Sequence, residues 1–384
     1  MSEQELLYTM AITRLLPLDA KAQQTLLQTM GSATAVFENR QDVSRIIADI
    51  SPRAARIVQT METQLPRCEK ELEYARTHHI RVLAYGDEEK YPRRLRECED
   101  APLVLYALGQ ADFNARRIVS VVGTRRCTEY GRDLCRQLTA DLARQLPGTL
   151  VVSGLAYGID IAAHRAALAA GLPTVGVLAH GLDQVYPQLH RQTAIEMLAE
   201  GGLLTEFMTE TRIEKINFVQ RNRIVASLSD ATIVVESAER GGSLITAEMA
   251  NGYHREVFAF PGRPCDAVSA GCNHLIRSNG ATLITSAADL ITDLGWQPEP
   301  VQKEFFTDAD EGTGEEPTGA GAACLSPEEH QILQLLRSAK EDLALTQLTE
   351  ATTLPTYRLT SLLIALEMKG MIKALPGNRY HCIK

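Results

Sequence analysis

RIVSVVGTRR (117–126) decides the fold: a continuous β-branched run, a glycine at its end, and two arginines directly after it. A run of this length with no polar alternation predicts a strand buried on both faces. Seven further runs repeat the pattern: IRVLAYG (80–86), TLVVSG (149–154), PTVGVLAHG (173–181), GLLTEF (202–207), ATIVVES (231–237), EVFAFPG (256–262) and ATLIT (281–285). Amphipathic stretches such as GRDLCRQLTADLARQL, DIAAHRAALAAG, AIEMLAEG and SLITAEMANGY lie between them. Strands alternating with helices predict an α/β fold: an extended Rossmann-like, doubly wound, mostly parallel sheet over residues 77–298.

Outward from this region the composition changes twice. Residues 1–76 lack strand signals, and LLYTMAITRLL and AKAQQTLLQTM place apolar residues at three- and four-residue spacing, which predicts an N-terminal helical domain. Gly31 stands where a helix C-cap belongs and Pro52 where a helix begins. Residues 299–324 are acidic and rich in Gly, Pro and Ala, the composition of a flexible linker. Beyond it, residues 325–384 read as three helices and a short hairpin, a C-terminal winged-helix domain.

The chain has 384 residues, 45% apolar and 23% charged, enough for two or three domains. Its net charge of −9 argues against a nucleic-acid partner on bulk charge alone. However, Glu299, Glu304, Asp308, Asp310, Glu311, Glu315 and Glu316, against Lys303, put −6 of that into one short segment. What counts is where the remaining charge sits. The N-terminus shows no secretory pattern and no apolar run approaches membrane-spanning length, so the expectation is a cytoplasmic protein with no membrane partner. The eight cysteines form no C-x-x-C pair, which disfavours zinc clusters and a disulfide framework. No cofactor or metal is expected.

Four segments could carry chemistry. Gly123-Thr124-Arg125-Arg126 follows a strand at the end where open α/β sheets bind ligands, with backbone N–H groups and guanidinium forks for phosphate. It lacks the second and third glycines of a dinucleotide fingerprint; the alternative is a simple turn with solvated arginines. Ser153-Gly154-Leu155-Ala156-Tyr157-Gly158-Ile159-Asp160 again joins a strand to a helix. Asp160 and His164 stand four apart and invite a metal, but a loop support and a local hydrogen bond are the simpler roles. Lys215-Ile216-Asn217-Phe218-Val219-Gln220-Arg221-Asn222-Arg223 combines cations with an aromatic ring, the parts of a single-strand site. One of its arginines is expected to be structural, paired with Glu206 or Glu236. Gly241-Gly242-Ser243 ahead of Glu248 forms an anion nest, or merely a tight turn.

Together these segments resemble the DNA-processing protein A family (DprA/Smf). The resemblance runs from about Tyr85 to Leu294. It includes Tyr91-Pro92, Gly123-Thr124-Arg125, Ser153-Gly154-Leu155-Ala156, Gly158-Ile159-Asp160, Ala163-His164, Tyr186-Pro187, Thr205-Glu206, Arg221-Asn222-Arg223-Ile224, Gly242-Ser243-Leu244-Ile245-Thr246-Ala247, Phe258-Ala259-Phe260-Pro261-Gly262 and Gly271-Cys272-Asn273-His274. The resemblance implies a non-catalytic, single-stranded DNA-binding protein that helps load the RecA recombinase during natural transformation or related DNA processing. It also implies a homodimer formed through the Rossmann-like domain, in the region of Phe258 to Gly262. By position, Gly123 and Arg125 would hold phosphate, Lys215 would add charge and Phe218 would stack on a base. Thr124, Arg126, Ser153, Gly154, Gln220, Arg221, Asn222, Arg223, Gly242 and Ser243 complete the expected site. Three positions depart from the family pattern: Tyr157 for an arginine, Val219 for a proline and His190 for an asparagine. The competing readings are a nucleotide phosphoribohydrolase-like enzyme, with Glu206 or Glu248 as its carboxylate, and a nucleotide sensor; both would use the Gly241-Gly242 loop.

Overall fold

The computed structural model describes residues 1–47, 50–297, 327–338, 343–352, 356–368, 371–375 and 379–382. The chain divides into two compact units, Met1–Gln302 and Lys303–Lys384.

The larger unit is built on nine strands: β1 (Arg81–Ala84), β2 (Val104–Gly109), β3 (Ile118–Val122), β4 (Leu150–Ser153), β5 (Thr174–Val177), β6 (Gly202–Thr205), β7 (Ala231–Val234), β8 (Glu256–Ala259) and β9 (Thr282–Leu283). Their order in the sheet is β1-β2-β6-β5-β4-β3-β7-β8-β9. From β6 to β9 every pairing is parallel; β2 runs antiparallel to both β1 and β6. The eight expected runs each contain one of these strands. The ninth, β2, is VLYALG; its leucines and alanine carry little β-branched signal, and its place follows from pairing with β1 and β6 rather than from its own sequence.

Alternation along the strands explains the two layers of helices. Ile118 and Val122 of β3 belong to one buried cluster, with Leu150 and Val152 of β4. Val119 and Val121 belong to another, with Val151, Ala231 and Ile233. Successive side chains point to opposite faces, and both faces are covered. Ser120 and Thr232, opposite each other in the register, share a 2.8 Å hydrogen bond that satisfies both buried hydroxyls. At the start of β7, Asp230 accepts from Arg94 Nε (2.6 Å) and Nη2 (2.9 Å) and from the Ile118 amide (2.9 Å). This clamp ties the short helix Arg93–Arg96 to the head of β3.

The first 76 residues are helical. Gly31, at φ 83°, ends the helix Ala20–Met30, and Pro52 opens Pro52–Gln59. The apolar faces of these helices do not form a core of their own: Met10, Ile12, Val36 and Val58 pack in one cluster with Leu103, Val104 and Tyr106 from around β2 and with Met208. Secondary structure changes between Thr77, the end of the helix Leu65–Thr77, and β1, just after the expected 76/77 boundary, and packing runs across it. The expected linker, 299–324, lies outside the described residues.

In the second unit the helices Pro327–Ser338, Leu345–Thr352 and Thr356–Met368 enclose Ile332, Leu336, Leu348, Leu359, Leu363 and Leu366. The strands Ile372–Leu375 and Arg379–Cys382 form the expected hairpin, and Leu343–Ala344 adds a third antiparallel strand. This is a winged helix.

Candidate nucleic-acid interface

The parallel strand order reverses between β3 and β7: β4, β5 and β6 lie to one side of β3, and β7, β8 and β9 to the other. At such a switch point the connections leave in opposite directions and open a crevice beyond the strand ends. Here the crevice is a cleft of about 540 Å³, bounded by the residues at the ends of β3 and β4, by the Gly241-Gly242 turn that follows β7, and by the helix Lys215–Leu228.

The loop after β3 is held from below. The Thr124 amide donates to the Glu236 carbonyl (2.7 Å), and the Thr124 carbonyl accepts from the Ile159 amide (3.1 Å). Gly158 makes that approach feasible: its φ is 80°, and a Cβ there would lie 2.1 Å from the Thr124 oxygen. The Glu236 carboxylate accepts from the Thr128 amide and hydroxyl, and that hydroxyl caps the helix Glu129–Gln145 at Gly131. With the turn fixed at both ends, Arg125 stands exposed at its crest.

The helix Lys215–Leu228 supplies the opposite wall. Phe218, Arg221, Asn222 and Val225 line the cleft at helical spacing. The Phe218 ring is half-buried, with the Arg125 guanidinium carbon 5.4 Å and that of Arg221 6.0 Å from its centroid. Both lie within cation–π range. Tyr186 meets the same ring edge-on at 6.0 Å. Arg221 is only 4% exposed and donates Nη1 to the carbonyls of Gly154 and Val177. Gly154 has no side chain because the guanidinium occupies that space: a Cβ would lie 2.5 Å from Nη2. Burial pulls the Arg221 guanidinium down to about 10, with neighbouring Asp160 opposing the shift and Arg125 adding to it. Arg221 therefore stays charged at neutral pH. Burial also raises the Asp160 carboxyl, against the pull of Arg221 and the Ala156 amide.

Three helices begin at the cleft with no side-chain cap: Ile159–Ala169, Lys215–Leu228 and Gly242–Gly252. Their positive dipole ends favour an anion, although the Ile159 amide itself is taken by the Thr124 carbonyl. The repulsion between Arg125 and Arg221 acts in the same direction, since an anion between them relieves it.

Of the expected residues, Gly123, Thr124, Arg125, Gly154, Lys215, Phe218, Arg221, Asn222, Gly242 and Ser243 all line this one cleft. Arg126, Ser153, Gln220 and Arg223 do not. Ser153 is buried and donates to the Val121 carbonyl (2.6 Å); Arg126 and Gln220 are exposed elsewhere. Arg223 forms an ion pair with Glu206 and donates 2.6 Å to the Asp100 carbonyl. Thus two arginines of the segment, not one, are held by the protein, and Glu206 is the partner of Arg223. Tyr186, Ile213 and Ile245 also line the cleft and were not read as site residues; Tyr186 comes from a loop 32 positions before Phe218 in the chain, and only the fold joins them. Among the departures, His190 donates Nδ1 to the Leu155 carbonyl (2.9 Å) and Tyr157 is exposed beside it, their rings 5.0 Å apart. Val219 is exposed at the cleft wall. His164 takes its local role: it is buried, with Nδ1 bonded to Thr174 Oγ1 at 2.7 Å. Among the described residues no group of three His, Cys, Asp or Glu could hold a metal ion, and no helix is long and apolar enough to cross a membrane.

A doubly wound sheet with a cationic, partly aromatic cleft at its switch point places the larger unit in the Rossmann-like class. Residues 81–295 match the DNA recombination-mediator protein A family and residues 316–378 the DprA winged helix domain. Protein Smf of Synechocystis is 34% identical over 77% of this chain and 78% of its own length. A putative DNA processing protein DprA of Mycobacterium tuberculosis is 41% identical over 66% of this chain and 62% of its own. The X-ray structure of DNA processing protein A from Streptococcus pneumoniae is 30% identical, with a TM-score of 0.58, covering 72% of this chain and 98% of that one. The Helicobacter pylori DNA processing protein A, described for its single-stranded DNA binding mode, is 29% identical with a TM-score of 0.50, covering 56% and 95%. The chain belongs to the DNA recombination-mediator protein A family, DprA/Smf.

Proposed function

We propose that the chain binds single-stranded DNA in this cleft, without catalysing a reaction, and passes it to the RecA recombinase. The observation that carries this reading is the grouping of exposed Arg125 and Lys215 around the half-buried Phe218 ring. A ring set inside a cleft is within reach of a base that has left its pair, and stacking on it is worth ~1–3 kcal/mol. A duplex keeps its bases stacked inside and offers only phosphate to the rim. The Helicobacter relative's described binding mode favours the same ligand.

The lack of catalysis is supported by how the candidate carboxylates are engaged. Glu206 pairs with Arg223, Glu236 holds Thr128, and Glu248 is outside the cleft lining; of the two carboxylates that do line the cleft, Asp160 accepts from the Ala156 amide and Glu214 is exposed at the rim. The transfer to RecA, the homodimer through the Rossmann-like domain and the cytoplasmic setting rest on the family resemblance. Fluorescent oligo-dT titrated across a salt series should bind more tightly than a matched duplex. Its log K should fall with log salt by about 0.7 per neutralised phosphate. Equal binding of both, together with release of free base from a nucleotide, would favour the phosphoribohydrolase reading instead.

A further inference from the structure

We propose that the N-terminal helices carry a second phosphodiester-binding subsite, which takes the DNA strand as it leaves the cleft past Lys215. This inference rests on the single-strand reading above. Arg14, Arg53 and Arg56 converge on a hollow of about 660 Å³ together with Leu16, Pro17 and Gln64. No carboxylate lines it. Arg53 and Arg56 stand three apart on the helix Pro52–Gln59, hence on neighbouring positions of one face, and both are exposed. Arg14 is held in place: Nε donates to Gln64 Oε1 (3.0 Å) and Nη1 reaches the Met208 sulfur (3.7 Å).

Among the described residues, none of these three arginines has a carboxylate partner. Their neighbours do: Arg40 pairs with Glu62, Arg45 with Asp42, Arg67 with Glu71 and Arg76 with Glu3. In a chain of net charge −9, three uncompensated guanidinium groups around one acid-free hollow repel one another, and a bound anion relieves that repulsion. Arginine forks suit phosphate oxygens in particular.

Position argues for a DNA strand over an acidic peptide. Met208, which touches Arg14, lies five residues before Ile213, and Ile213, Glu214 and Lys215 line the DNA cleft. Five residues span at most about 18 Å. Exposed Arg212, also without a carboxylate partner among the described residues, stands between. Arg212 thus stands in sequence between the cleft at Lys215 and the hollow of Arg14, Arg53 and Arg56; of the acids in this stretch, Glu210 is paired with Lys70 and Glu214 lines the cleft.

The test uses the full chain with Arg53→Glu/Arg56→Glu, and with Arg53→Lys/Arg56→Lys as the charge-keeping control. Each is titrated with oligo-dT of about six nucleotides, enough for one short site, and of about thirty. The Glu variant should bind the short oligonucleotide like the wild type and the long one about tenfold more weakly, with the salt slope for the long one lower by about 1.4, two contacts at 0.7 each. The Lys variant should stay close to wild type at both lengths. Wild-type affinity of the Glu variant for the long strand would overturn the subsite, as would equal loss at both lengths. So would unchanged DNA binding accompanied by lost binding of poly-glutamate, which would assign the hollow to an acidic peptide. If the wild type fails to bind the short oligonucleotide, or binds it unaffected by Arg125→Ala, it is the cleft assignment that fails.

Discussion

The two halves of the helix Lys215–Leu228 are made of similar residues and do different work. Its first turn presents Lys215 and Phe218 to an open cleft; its middle places Arg221 and Arg223 against protein acceptors. Arg221 bonds two backbone carbonyls and joins the end of β4 to that of β5, while Arg223 neutralises the half-buried Glu206. Beside Lys215, the exposed cation that faces the Phe218 ring comes from another element, Arg125 on the loop after β3. Charge count therefore does not identify the contact residue; burial and existing partners do.

The comparison breaks first at Arg221. Arg221→Ala leaves the Gly154 and Val177 carbonyls and Asp160 buried without their cation, a loss of about 3 kcal/mol or more. Denaturant unfolding should show that loss; a wild-type midpoint with DNA binding abolished would make Arg221 a ligand contact instead. Phe218→Ala, on the open half, should leave the midpoint nearly unchanged and weaken oligo-dT by ~1–3 kcal/mol, with little change in salt slope. A steep loss of stability there would make the ring a core residue.

A third and smaller effect separates the protein beneath the cleft from its surface. Burial lowers the His164 imidazole to about 3, from 6.5 in the unfolded chain. The folded state thus refuses a proton that the unfolded state accepts. The sign follows: stability is full above pH ~6.5 and falls as the medium is acidified, by at most about 1.4 kcal/mol per pH unit for one proton. His164→Gln should flatten the fall between pH 7 and 5, read from unfolding midpoints; an unaltered slope would mean the imidazole titrates normally.

The sheet and the cleft loops were legible in the sequence because β3, β4, β7 and β8 each lead through a glycine-containing turn into a helix, a local signal. β2 was not, since VLYALG becomes a strand by pairing with neighbours distant in sequence. Nor was the shared packing of the first helices with Leu103, Val104 and Tyr106 visible in periodicity. Gly123, Gly154, Phe218 and Gly242, singled out in separate segments, line one cleft, yet Arg221-Asn222-Arg223 reads as one basic run. Only the turn of the helix shows that Arg221 and Arg223 project in different directions, each into its own set of acceptors.

The most direct test is oligo-dT binding by Arg125→Ala across a salt series, beside the wild type. The account predicts folding stability within about 0.5 kcal/mol of wild type, as for an exposed side chain, weaker binding, and a salt slope lower by about 0.7 for one lost phosphate contact. A variant that binds with wild-type affinity and slope would contradict the assignment of the cleft to single-stranded DNA.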